Sequence, residues 1–135
     1  MRISSQTRRA SSYIVNIDKN RIIQVISNLL DNAIKFTKQE EGGSTDIVIN
    51  VELASSNKYG QVIVNISDNG IGIDPELMPK LFLKFVSKSF QGTGLGLFIC
   101  KSIIETHGGK IWAKNNANSK GAMFSFSLPI FTRTA

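Results

Sequence analysis

Two asparagines and a lysine interrupt an otherwise apolar helical pattern in "NLLDNAIKF", residues 28–36. Asn28, Asn32 and Lys35 fall at i, i+4 and i+7, so a helix would carry all three on one face. A carboxamide oxygen is a hard, neutral ligand of the kind magnesium accepts beside waters and phosphate oxygens. An ammonium supplies a point charge for a phosphate. The same spacing also fits a solvated helix face, so the stripe alone decides nothing. Two further stretches could complete such a site. "SDNGIGI" sets Asp68 at a strand end beside Gly70 and Gly72. A carboxylate there would be costly to bury without a donor, and the exocyclic amine of a base is one. "GTGLGL" runs from Gly92 and Thr93 through Gly94 and Leu95 to Gly96, straight into a helical pattern. Backbone N–H groups at a helix start attract anions, and glycines allow close approach. It is neither a dinucleotide fingerprint, since the last required glycine is missing, nor a Walker A string.

The elements that must hold these residues can be read from periodicity and breakers. "SYIVNI" (12–17) reads as an edge strand. Asp18 reads as an N-cap, with Arg21 opening an amphipathic helix to about Thr37 whose apolar stripe is Ile22, Ile26, Leu29, Ala33 and Phe36. "IVINVEL" (47–53) and "VIVNIS" (62–67) read as strands joined by a hairpin connection. Asp74 and Pro75 predict a helix to about Phe85. "LGLFICKSIIETH" predicts another, stopped by Gly108 and Gly109. "KIWAKN" and "AMFSFSLPI" read as the last strands, followed by the short polar tail "FTRTA". The order β, α, β, β, α, α, β, β does not alternate as doubly wound folds do. It predicts an α+β, two-layer α/β sandwich: a mixed, mostly antiparallel sheet with helices on one face.

The motifs in their order resemble the catalytic, ATP-binding domain of sensor histidine kinases, in the superfamily that includes gyrase and heat-shock chaperone ATPases. "QVISNLLDNAIKFT" resembles the N box, "DNGIGI" the first glycine box, "LFLKF" the F box and "GTGLGL" the second glycine box, and "HGGKIWAKN" the stretch after it. The likeness spans Asp18 to Leu128. It implies Mg²⁺ on Asn32, with Asn28 supporting the phosphates and Lys35 touching them. It implies a hydrogen bond from adenine to Asp68, a base pocket shaped by Gly70 and Gly72, and a phosphate loop of Gly92, Thr93, Gly94, Leu95 and Gly96. Phe82 and Phe85 match the F-box aromatics, for which core packing is as good a reading. Lys84 sits where the family often carries an arginine near the γ-phosphate, and Lys88 lies within a lid, "VSKSFQ", shorter than the family often has. Asn28, Lys35 and Lys84 are then the residues expected to act in transfer. The superfamily's ATPases place a glutamate at the position of Asn28 as general base; a carboxamide cannot take a proton. The resemblance therefore implies a site that holds ATP for an acceptor other than water; if Asn32 does not hold the metal, Asn28 or Asp31 must take the role.

The acceptor in such kinases is a histidine on a helical dimerisation domain. His107, in "ETHGGK", is the chain's one histidine and reads as a helix C-terminal residue. The 135 residues are expected to be a single domain, monomeric by itself, excised from a longer kinase that serves a response regulator on the cytoplasmic side. A serine kinase of the anti-sigma type and a nucleotide-sensing module that binds without transfer remain open. A formal charge of +6 raises nucleic acid as a partner, but the basic residues are scattered with no interleaved aromatic platform, so none is expected. No apolar run is long enough to span a bilayer. The lone cysteine, Cys100, excludes an internal disulfide and reads as a buried thiol.

Overall fold

In the computed structural model of the chain, residues 2–7, 13–38, 44–54, 60–86, 94–117 and 119–133 are described. Strands β1 (Arg2–Thr7) and β2 (Tyr13–Val15) precede helix α1 (Lys19–Lys38). The hairpin strands β3 (Asp46–Ala54) and β4 (Gln61–Asp68) come next, then a 3₁₀ turn (Met78–Lys80), helix α2 (Gly96–Thr106), β5 (Ile111–Asn115) and β6 (Ala122–Arg133). The strands form one sheet in the order β1-β3-β4-β6-β2, with β5 also lying beside β6. β1 runs parallel to β3 and every other pair is antiparallel. Both helices pack together and against the sheet. This is the α+β sandwich that the element order predicts.

Strand alternation decides what the helices cover. Ile49 stands opposite Ile66, Ile66 opposite Phe124, and Phe124 opposite Ala113. These residues and Ile47, Phe126 and Leu128 meet Ile22, Val25, Leu29 and Ala33 of α1 and Ile103 and Ile104 of α2 in one core. Each fully buried aliphatic or aromatic side chain of this kind contributes roughly 1.5–3 kcal/mol. Asp68 has the same parity as Ile66 and lies opposite Ile47. The pleat thus turns its carboxylate toward the helices, not toward solvent.

The helix ends are built locally. Asp18 caps α1: its Oδ1 accepts the Arg21 N–H at 3.3 Å and its carbonyl the Ile22 N–H at 3.0 Å. At the end of α2, Gly108 N–H donates to Glu105 O and Gly109 N–H to Ile104 O, both at 3.0 Å, with Gly108 at φ +80°. These two bonds make a Schellman stop. A side chain at Gly109 would set Cβ 1.8 Å from Ser127 O, so only glycine lets β6 pass there.

Three expectations need correction. Pro75 opens no α-helix. Asp74 does cap a turn, accepting Glu76 N–H on Oδ1 at 2.9 Å, but the chain beyond it forms only the 3₁₀ turn. Pro79 lies inside that segment, lacks an N–H and disfavours α geometry at Met78. Arg2–Thr7, where no element is expected ahead of residue 12, is a strand. "FTRTA" is no tail through Arg133: β6 continues and pairs with β2, Val15 opposite Ile130 and Tyr13 opposite Arg133.

Candidate nucleotide site

The face of α1 that carries Asn28 and Asn32 is held at two points one turn either side of Asn32. Asn28 is half-buried, and its Nδ2 donates to Cys100 Sγ at 3.6 Å, on α2. Cys100 is itself fully buried and faces Val25 O at 3.9 Å; burial pushes its thiol up to about 11, against the weaker lowering influence of the Asn28 bond. Further along, Gly70 packs on the Phe36 carbonyl: a Cβ there would lie 2.8 Å from its carbon and oxygen. Asn32 sits between these contacts, half-buried. Lys35 and Asp31 are exposed.

Asp68 is 3% exposed. Its Oδ1 accepts N–H groups from Gly70 at 2.9 Å and Ala122 at 3.3 Å. Its Oδ2 is buried and has no hydrogen-bond partner among the described residues. Burial raises the carboxyl above the ordinary carboxylate range, and the two backbone donors only partly oppose this. A buried carboxylate oxygen left without a donor is expensive. An incoming N–H donor would complete its hydrogen bonding.

The loop after Asp68 turns at Gly72, φ +80°. Gly94, φ +72°, is close against Phe85: a Cβ would fall 2.5 Å from its Cα, and Phe85 N–H donates to Gly94 O at 2.8 Å. Leu95 occupies the N-cap of α2, where its side chain offers no cap, and Gly96 begins the helix facing open space. The Lys84 ammonium lies over the Phe98 ring, 4.9 Å from its centroid, on the first turn of α2. Phe82 packs on the core, whereas Phe85 is 75% exposed at φ +62°, so core packing does not describe it. Lys88, Gly92 and Thr93 lie outside the described residues.

The structure therefore gathers Asn28, Asn32, Asp68 and Gly70 around α1, and Lys84, Gly94, Leu95 and Gly96 around the start of α2. Asn115, which closes the stretch "HGGKIWAKN", and Asn116 beyond it join β5 to the Asp68 loop, a role that the motifs assign to neither. Adjacent asparagines closing a strand were their one trace in the sequence. His107 caps α2 as expected and also accepts the Asp18 N–H on Nε2 at 3.0 Å. It lies beside a concavity of about 620 Å³ lined by Ile17, Thr106 and Pro129, at the far ends of both helices.

Among the described residues no three His, Cys, Asp or Glu side chains converge to hold a metal. No described helix is long and apolar enough to cross a membrane.

Residues 17–132 match the family described as histidine kinase-, DNA gyrase B-, and HSP90-like ATPase. The chain is 44% identical over 122 residues to the sensor protein KdpD of Clostridium acetobutylicum, a match covering 86% of this chain and 13% of KdpD. It spans 13% to 30% of the length of the curated sensor kinases that it matches at 40% identity or more. Among solved structures, the nucleotide-free catalytic domain of histidine kinase ThkA is 39% identical, with a TM-score of 0.77 over 94% of this chain and 77% of that one. Full-length ShkA in complex with AMPPNP is 27% identical, with a TM-score of 0.75 over 98% of this chain and 26% of that one.

Proposed function

The chain belongs to the histidine kinase-, DNA gyrase B- and HSP90-like ATPase family, and from that premise we propose that it is the catalytic domain of a sensor histidine kinase, binding Mg-ATP and delivering the γ-phosphoryl group to a histidine on a separate helical dimerisation domain. The observation that carries the proposal is the buried Oδ2 of Asp68, which has no partner among the described residues. The amine at C6 of adenine supplies the missing donor. The triphosphate extends from there between α1 and the start of α2; that a nucleotide binds at all is supported by the likeness to ShkA, solved in complex with AMPPNP.

The donor set fits magnesium. Without a carboxylate cage among the described residues, the ion must take most of its ligands from phosphates and water, as Mg²⁺ does, and the Asn32 carboxamide would hold its protein side. When bound, the ion neutralises charge on the β- and γ-phosphates. Lys35 and Lys84 contribute positive charge toward the phosphates. Gly94, Leu95 and Gly96 lie toward the phosphates at the start of α2; the family resemblance assigns Gly92, Thr93 and Lys88, outside the described residues, to the same phosphate loop and lid. Asn28, turned inward on Cys100, has no basic group with which to activate water. The domain's contribution is positioning and electrostatics, with the acceptor histidine supplied from outside.

In this reading the domain is one part of a longer kinase, acts on the cytoplasmic side where ATP is available, and serves a response regulator. Incubation with γ-labelled ATP and Mg²⁺, with and without a histidine-bearing dimerisation domain, tests the reaction. Acid-labile label on the acceptor, with none on this chain alone, is the expected result. Steady release of phosphate to water without an acceptor would refute it.

A further inference from the structure

Two adjacent asparagines hold both ends of the loop that carries the base-reading carboxylate. The Asn115 carboxamide pairs with the backbone of Ile73 in both directions: Oδ1 accepts the Ile73 N–H at 2.7 Å and Nδ2 donates to Ile73 O at 2.9 Å. Asn116 does the same work at the other end. Its Nδ2 donates to Asp68 O and to Lys120 O, each at 3.0 Å, its Oδ1 accepts the Ser67 hydroxyl at 3.2 Å, and its N–H donates to Gly121 O at 2.9 Å. The loop from Asp68 to Ile73 is thus fixed at its first and last residues by one dipeptide. Packing tightens the same joint. A Cβ on Gly121 would lie 2.0 Å from Asp68 O, and one on Gly72 would lie 3.0 Å from Asn115 Oδ1.

We propose that Asn115 and Asn116 are positioning residues that set the base selectivity of the nucleotide pocket; this rests on the assignment of Asp68 as the group that reads adenine. A carboxylate discriminates between an amine and a carbonyl only while water is kept from competing for it. Asp68 Oδ2 meets that condition in being buried at the head of a loop pinned at both ends, and a displacement of about 1 Å is enough to spoil such a geometry. Both carboxamides use donor and acceptor together, so length and polarity are both specified. Aspartate matches asparagine in shape yet turns an acceptor toward Ile73 O or Asp68 O, where a donor is required.

The test is calorimetric titration of ATP and GTP into the wild-type chain, Asn115→Asp and Asn116→Asp, with the exposed neighbour Lys114→Ala as control. Amide hydrogen exchange of the nucleotide-free proteins is measured alongside. Each Asp variant is expected to weaken ATP by roughly five- to tenfold, the worth of one lost hydrogen bond with some repulsion added, and to narrow the ATP-to-GTP ratio. Exchange should quicken at Gly70 and Ile73 while the strand amides of β4 and β6 stay protected. Lys114→Ala should match wild type. Asp variants with wild-type affinity and ratio would overturn the proposal, as would exchange rising equally throughout the sheet, which would mark a purely structural role. If wild type binds neither nucleotide, the Asp68 assignment fails by itself. The exchange measurement then still separates a working clamp, with local quickening, from none.

Discussion

Replacing Asp68 by asparagine should make the free domain more stable and a poorer ATP binder at once. The wild-type carboxylate is 3% exposed, one of its oxygens has no donor among the described residues, and burial raises its pKa. Linkage gives the sign. With the folded value above the unfolded value of about 3.9, the stability contributed by the protonated form is fully present below the unfolded pKa and is lost as pH rises through the folded one. At pH 7 the folded state therefore carries an unfavourable charge. Asparagine keeps an oxygen for the Gly70 and Ala122 N–H groups and leaves an amide unpaired in place of a charge, a gain on the order of 1 kcal/mol. For a domain of this size that raises the melting midpoint by roughly 3–5 °C. Bound adenine experiences the opposite. Its amine meets an amide donor, and the loss of a hydrogen bond to a charged group, about 1.5–3 kcal/mol, weakens ATP by roughly ten- to a hundredfold. The carbonyl at C6 of guanine gains a donor, so the ATP-to-GTP gap should close. Thermal melts from pH 4 to 8, with calorimetry of both nucleotides, read all of this. A pH-independent loss of stability, or unchanged ATP affinity, would refute the reasoning.

Asn32→Ala should abolish phosphotransfer in Mg²⁺ while metal-free ATP still binds through its base; near-normal transfer would move the metal to Asn28 or Asp31. His107→Ala should leave ATP affinity unchanged but cost about 1 kcal/mol of stability, read by denaturant melts, because it removes the acceptor for Asp18 N–H at the joint between the two helices. Cys100 should resist iodoacetamide at pH 8 in the folded chain and react promptly in denaturant, since its thiol is buried with a pKa of about 11. Gly109→Ala should fail to fold or lose several kcal/mol, with Ser127 O 1.8 Å from the new carbon.

Where chemistry and local periodicity coincide, the sequence is legible. Asp18, Gly108 and the apolar stripe of α1 are set by residues within a turn of one another, and they form as read. Val25, fully buried yet absent from the predicted stripe, shows that the buried face is wider than one strict row, because α1 packs on both the sheet and α2. The segment after Asp74 misleads because a good N-terminal signal is cancelled five residues later by Pro79. Arg2–Thr7 carries little apolar pattern, and its place depends on β3, more than forty residues away. The same limit applies within the site. The motifs name Asp68 but give no sign that one of its oxygens lacks a donor. They give no role to Asn115 and Asn116, whose partners in the Asp68 loop lie over forty residues away.

Backbone and carboxamide NMR shifts recorded as Mg-ATP is added to the chain test the placement of the nucleotide most directly. Saturable shifts should appear at Gly70, Gly72, Leu95 and Gly96 and at the side-chain amides of Asn28 and Asn32, leaving Ile17, Thr106 and His107 unmoved. No saturable shift, or shifts confined to the concavity beside His107, would contradict the site assigned to ATP.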